Sequence, residues 1–274
     1  MTEVARRAYD YDYADLLEAY AKLGVASGKL VYVGSDLTRL MRYAEPSRAA
    51  LLSAHLRALR ELLGPTGTLF VPTASLDLCN TQTVFDPAST PSTAMGVFAE
   101  HVRTLPGAVR SFHPFWSVAG IGPAAEAMLA DVPRQAYGWG SVWQRFVEHD
   151  VLGVNIGKSP HFSISVIHHV EQLAGVPYRY TKEFLHPVMR DGAVRREPFY
   201  LFVLYREMDA VRDRNRKIFE HFRRHGTLRE VRIGARGKGW SFSHREFFEV
   251  TVRLMQQDIF AWLENPPREA PYRR

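Results

Sequence analysis

The 274 residues include 46% hydrophobic and 23% charged side chains, ordinary globular proportions that permit one large α/β unit needing no staple. A single cysteine, Cys79, excludes an internal disulfide and argues against a cysteine-rich zinc site, and no apolar stretch approaches a membrane span or a signal-peptide core. With 35 Lys and Arg against 29 Asp and Glu the chain carries +6, so an anionic partner fits, whether nucleic acid, a membrane surface or a phosphorylated cofactor, and a soluble cytoplasmic protein is expected.

The first helix is expected from Asp10 to Leu23, with Leu16, Leu17, Tyr20 and Leu23 at helical spacing and Gly24 as its stop. Leu30–Val33 reads as a buried strand running into Gly34-Ser35. A helix from Pro46 to Leu63, closed by Gly64-Pro65, then leads to a strand over Thr66–Val71. A strand, a crossover helix and a strand imply parallel pairing. From Pro72 to Ser89 periodicity vanishes, and a polar stretch of that length inside a domain marks a functional loop. Thr90 is an expected N-cap and Pro91 a first helical residue for a helix continuing through Ala94–Val102.

Further helices are expected over Gly122–Leu129, Ser141–Val147 and Ser163–Leu173, with a strand at Val151–Ile156. Pro177–Phe184 and Pro198–Tyr205 look extended, and Asp209–Arg224 helical. A last helix opens at the capping box Ser243–Glu246 and carries its apolar face to Leu263. Together these give a mixed α/β fold with a largely parallel central sheet, one domain over 1–264, and a frayed tail over 265–274.

The familiar templates fail. No Gly-x-Gly-x-x-Gly follows a strand, Gly234–Gly239 lacks the phosphate-loop ending, and there is no Gly-x-Ser-x-Gly elbow. Cys79 has no histidine near it in sequence and reads as a free loop thiol. Six histidines (101, 149, 161, 221, 225 and 244) sit among polar neighbours. His168 differs: Ser165 precedes it and Glu171 follows it by three residues, which puts all three on one helical face. A carboxylate beside an imidazole raises its basicity and fixes its tautomer. The alternatives are a surface ion pair or a satisfied core histidine. His169 points about 100° away and is the weaker candidate. Arg110, Ser111, His113 and Pro114 cluster just after the expected helix start at Thr90; such groups suit the phosphates and amides of an extended ligand, or else form a structural turn.

Several pieces in order make the sequence resemble the aminoglycoside 3-N-acetyltransferase (antibiotic N-acetyltransferase) family. They are Gly67–Pro72, Phe85-Asp86-Pro87 with Thr90-Pro-Ser92 and Met95-Gly96, Arg110-Ser111 with His113-Pro114, and Ser165, His168, Glu171 and Gln172. The resemblance runs from about Val31 through Phe184, with weaker support to the C-terminus. It implies a non-GNAT α/β fold, acetyl-CoA or another short acyl-CoA as donor, an amine-bearing small molecule as acceptor, and no metal. His168 would be the general base and Glu171 would orient it. Thr90, Ser92, Met95, Arg110, Ser111, His113 and Pro114 would contact the cofactor.

For the acceptor, Asp77 and Asp86 in the loop and Arg179 and Lys182 after the His168 helix are the candidate contacts. Cations there oppose a polycationic antibiotic and favour a less cationic amino sugar, so a biosynthetic rather than a resistance member is expected. Ser165 and the Gly157–Ser159 loop are candidate oxyanion donors. The rival readings are a resistance acetyltransferase, an acyl-CoA hydrolase or other CoA-dependent transferase, and a basic nucleic-acid-binding module, which lacks a recognition motif. Oligomeric state stays open between monomer and homo-oligomer.

Overall fold

The computed structural model describes residues 8–158, 164–206 and 216–268. Helix α1 (Tyr13–Lys22) starts from Asp12, whose carboxylate and that of Asp15 form a reciprocal capping box. Strand β1 (Leu30–Ser35), helix α2 (Arg48–Leu63, capped by Ser47) and strand β2 (Thr68–Pro72) follow as expected, with β1 and β2 parallel. Next come α3 (Val97–Arg103), β3 (Val109–Arg110), β4 (Val118–Ile121), α4 (Ala125–Leu129), α5 (Val142–Glu148), β5 (Leu152–Ile156) and α6 (Ile167–Ala174). The chain closes with β6 (Arg179–Arg190), β7 (Ala193–Leu204), α7 (Arg216–His225), β8 (Arg229–Ile233), β9 (Gly237–Ser243) and α8 (His244–Gln257).

Seven strands form one mixed sheet in the order β3-β4-β2-β1-β5-β9-β8. The mixed α/β expectation holds, but parallel pairing is confined to the three central strands β2-β1-β5. β8 and β9 join antiparallel through the short turn after Ile233, and β4 doubles back against both β2 and β3. Periodicity carries no strand order, so these reversals are not legible in the sequence. The central strands are apolar throughout because both faces are covered. Val31, Val33, Leu69 and Val71 pack into one core with α1, α2 and α3, whereas Tyr32 and Phe70 point into the other with Trp143, Phe146 and Phe247. Gly153 on β5 lets the Phe242 ring of the neighbouring strand lie flat on the backbone; a Cβ there would meet that ring at 2.5 Å.

The two segments expected to be extended are longer than anticipated and leave the main sheet. β6 and β7 are twelve residues each and make a separate hairpin around Asp191-Gly192, both at positive φ as a tight two-residue turn requires. Pro187 and Pro198 lie inside these strands, and prolines ordinarily argue against such length. The hairpin is stitched to the body on both sides: across the Phe85–Val188 bridge the Phe85 N–H donates to the Pro187 carbonyl and its own carbonyl accepts from the Met189 N–H, and Tyr200 bonds likewise to Arg134 and Ala136.

Three boundaries need correction. Thr90 caps no helix; its hydroxyl accepts from the Asp86 N–H at 2.8 Å, and α3 begins after Gly96. α6 begins at Ile167 rather than at Ser163, so His168 sits in its first turn. α8 ends at Gln257, after which Asp258 accepts from the Phe260 N–H and the chain turns to bury Trp262 and Leu263. The segments at 159–163 and 207–215 and the tail beyond 268 lie outside the described residues, and with them Ser159, His161 and the start of the helix expected from Asp209.

Candidate active site

Helix α6 carries the candidate base and its partner, and the chain immediately reverses. Gly175 takes the left-handed conformation (φ 66°, ψ 40°) and ends the helix. That reversal brings Arg179, at the root of β6, back onto Glu171. The Glu171 carboxylate is fully buried and divides its two oxygens. Oε2 lies 2.5 Å from His168 Nδ1, and Oε1 accepts from Arg179 Nε at 3.0 Å. Burial alone would push the Glu171 carboxyl up; the Arg179 and His168 charges and hydrogen bonds together outweigh it and hold it below its ordinary value. An ionised carboxylate can only accept, so Nδ1 carries the proton and the lone pair of a neutral ring lies on Nε2.

Aromatic side chains set the ring in place. Tyr137 meets His168 edge-on at 5.5 Å and Trp262 does so at 5.6 Å. Burial raises the Tyr137 hydroxyl far above its usual range, so it stays a neutral phenol. Trp262 also takes the Arg179 guanidinium on its face at 4.3 Å and stacks in parallel on Tyr178. The His168 side chain retains 23% exposure, against none for Glu171 and 7% for Arg179. The polar chain therefore has one end that reaches the surface, and that end is the imidazole. Ser165 lies against the Tyr32 hydroxyl at the start of this helix. His169 faces the interior, where Nδ1 accepts from the Gly138 N–H and burial lowers its pKa to about 4. It is a satisfied core histidine. So is His244, expected among polar neighbours but buried against the Val151 carbonyl.

The second constellation faces inward. Arg110 is expected at the cofactor; its guanidinium donates instead to Ser117 Oγ, the Thr90 and Thr73 carbonyls and Ser75 Oγ, at 2.5–3.1 Å. Four donors are thereby spent on holding the 73–90 loop against β4. Ser111 accepts from the Val118 N–H, and His113, 2% exposed, accepts from Phe115 and Trp116 N–H through Nδ1. Burial depresses His113 to about 4, and Pro114 beside it is buried. Ser92 is buried on the Ala74 carbonyl, and Met95 packs on the core of α2 and α3. These residues build the loop that borders the site, and no helix N-terminus stands at Thr90 to receive phosphates.

Of the acceptor candidates, Arg179 is turned onto Glu171 and is no surface cation. Lys182 lies over the Phe184 ring at 5.0 Å. Asp86 is occupied by the Ala88 N–H and the Ser89 hydroxyl, and Asp77 is exposed. Burial pushes the Cys79 thiol up to about 11, so it is a poor nucleophile. Among the described residues no group of His, Cys, Asp and Glu could hold a metal ion, and no helix is long and apolar enough to cross a membrane.

Composition shows a cationic surplus without placing it. Part of it lines a cleft of about 700 Å³ beyond the carboxyl ends of β1 and β5, bounded by Arg39, Lys158, Arg232, Arg236, Lys238 and Trp240. Such a position, outside the carboxyl ends of parallel strands, is where α/β sheets commonly bind ligands. Arg232 and Lys238 are direct cross-strand partners of like charge, an unfavourable pairing without an anion. Neither they nor Lys158 has an ion-pair partner among the described residues.

The family model described as aminoglycoside 3-N-acetyltransferase matches residues 33–256, from β1 through α8. The chain belongs to this aminoglycoside 3-N-acetyltransferase family. It is 34% identical over 193 residues to aminoglycoside N(3)-acetyltransferase IV of Salmonella sp, covering 69% of this chain and 68% of that one. To aminoglycoside N(3)-acetyltransferase III of Salmonella sp it is 30% identical over 199 residues, covering 65% and 67%. Among solved structures, the AAC-IIIb binary complex with CoASH superposes with a TM-score of 0.77 at 24% identity, over 90% of this chain and 96% of the other. A gentamicin complex of AAC(3)-IVa gives 0.78 at 23% identity, over 96% and 95%. As a member of the aminoglycoside 3-N-acetyltransferase family, the chain is an acyl-CoA-dependent N-acyltransferase with acetyl-CoA as donor. The matched region spans the His168 helix, the Arg110 turn and the whole hairpin, and excludes α1.

Proposed function

We propose that the chain moves an acetyl or other short acyl group from coenzyme A to an amine of an amino sugar, with His168 as general base. The observation that carries the reading is the 2.5 Å contact between His168 Nδ1 and the buried Glu171, which leaves Nε2 as the basic nitrogen on the one partly exposed member of the chain. Nε2 takes the proton as the neutral amine attacks the thioester carbonyl. The tetrahedral intermediate then collapses, breaking the C–S bond and releasing the coenzyme A thiolate, to which the imidazolium can return the proton. No acyl-enzyme is required. A positioned base of this kind contributes about 10²–10⁴-fold, or roughly 3–5 kcal/mol. The nucleotide end of the donor has its best partner in the cationic cleft around Lys158, Arg232 and Lys238, because the Arg110 guanidinium is already committed to the loop.

For the acceptor, the inward turn of Arg179 removes half of the case against a polycationic substrate, and only Lys182 still supports it. A second reading, transfer to a polycationic aminoglycoside, gains from that change and from the names of the relatives. Coenzyme A release from acetyl-CoA should therefore be followed across gentamicin-type antibiotics, nucleotide-linked amino sugars and free amino sugars. Turnover of the antibiotics alone would select the second reading, and release that no amine accelerates would point to a hydrolase. His168→Ala should lower turnover by about 10²-fold or more while leaving coenzyme A binding nearly intact. Equal activity in that variant would end the proposal for the base.

A further inference from the structure

We propose that Arg179 is a positioning residue for the transfer reaction: from the root of the hairpin it locks the carboxylate that aims His168. The inference rests on His168 being the base, and it concerns what holds that base in its working geometry.

Glu171 is a buried carboxylate with two strong partners in the described structure, one on each oxygen. A carboxylate held at a single oxygen can rotate about its last side-chain bond, and in a dry site it can also take a proton from its neighbour. Either event would unseat the Nδ1 proton of His168 and change what Nε2 can do. Arg179 prevents both by occupying Oε1. Its own position is fixed from three directions: Nη1 donates to the Phe202 carbonyl of β7 at 3.1 Å, the guanidinium plane lies 4.3 Å from the Trp262 ring centre, and the backbone is paired with Leu204.

Among the described residues, aromatic side chains also face the imidazole. Tyr137 reaches it from the segment before α5, and Trp262 from the turn after α8. Tyr178, next to Arg179, is kept neutral by burial and by the Glu171 charge. Trp262 touches both Arg179 and His168, so the cation and the ring share one wall. An ion pair that served stability alone would have no reason to reach a partly exposed histidine. Lysine could supply the charge, but not a planar group that donates from Nε while stacking on an indole.

The test is a mutant cycle on coenzyme A release, with wild type, Arg179→Met, Arg179→Lys, Glu171→Gln and the Glu171→Gln/Arg179→Met double variant. Arg179→Met should lower kcat about 10–100-fold with both KM values within about 3-fold, and Arg179→Lys should recover part of it. In the Glu171→Gln background the same change should cost less than about 3-fold, because the residue it acts through is already gone. Fully additive losses, or a loss expressed only in KM, would overturn the proposal. A second readout needs no turnover: the Nδ1 proton resonance of His168 should be displaced or lost in Arg179→Met and retained in Arg179→Lys. An unmoved resonance in Arg179→Met would also overturn it. Should His168→Ala prove fully active while the resonance still responds to Arg179, the base assignment falls and the positional coupling stands.

Discussion

Two arginine–histidine constellations lie on this chain, and they do opposite things with the same groups. Around Arg110 and His113, the guanidinium and Nδ1 are taken up by backbone and hydroxyl groups of neighbouring loop segments, and the imidazole is sealed at 2% exposure. Around Arg179 and His168 the bonds run in a line, from guanidinium to carboxylate to imidazole, and the line reaches a ring with 23% side-chain exposure. A network that closes on itself stiffens a loop. One that reaches a partly exposed ring can pass on a proton. The difference is one of direction, not of composition.

The contrast can be broken experimentally, beginning with the variant at the partly exposed ring. His168→Ala should cost turnover by the largest factor, with a smaller loss of stability from unpairing one oxygen of the buried Glu171. Arg110→Met should do the reverse. It removes the guanidinium from the Thr73 and Thr90 carbonyls and two hydroxyls, leaving Thr73 only its Ser117 donor, and should destabilise by about 3–4 kcal/mol in denaturant titration. Molecules that remain folded should keep kcat within a few-fold. A large kcat loss at unchanged stability would place Arg110 at the chemistry after all.

A third measurement uses acid. His113 titrates at about 4 in the folded chain against 6.5 for the unperturbed ring, because burial disfavours its charge. Between those values the unfolded state binds the proton and the folded state does not, so stability falls as pH drops from 6.5 towards 4. At about 1.36 kcal/mol per unit the full effect is roughly 3 kcal/mol. His113→Gln should lessen that slope without abolishing it, because burial depresses His55, His169 and His244 in the same range, and an unchanged slope would contradict the burial argument. The smallest expected effect belongs to the cleft. Lys238→Gln and Arg232→Gln, both exposed, should each raise the KM for acetyl-CoA by about 3–10-fold, lessen its salt dependence, and leave the acceptor KM alone.

Much of this architecture is legible in the amino-acid sequence. The first βαβ unit follows from apolar runs, helix caps and Gly64, and the His168–Glu171 pair from a three-residue spacing that survives even though α6 starts later than expected. What sequence does not carry is facing. Arg179 stands out as a cation, but eight residues and a left-handed glycine separate it from Glu171, so no periodic rule turns it inward. Trp262 lies more than ninety residues from His168, and Phe260 and Leu263 continue the α8 rhythm past the true helix end. Arg110 has the residue types of a phosphate site and the geometry of a brace. The cleft draws its cations from segments as distant as Arg39, Lys158 and Lys238, which only the sheet order brings together.

The hairpin divides labour along its length. Its root carries Arg179 and is bonded to Glu171, the partner of His168, its middle is sewn to the body at Phe85 and Tyr200, and its tip, residues 191–196, stands in solvent. Mutational drift at the tip is thus insulated from the chemistry, while drift at the root is not. A lineage could remodel the outer half of this arm, by length or by charge, and explore new amines without disturbing the His168–Glu171 pair. The same separation offers an engineer a place to begin.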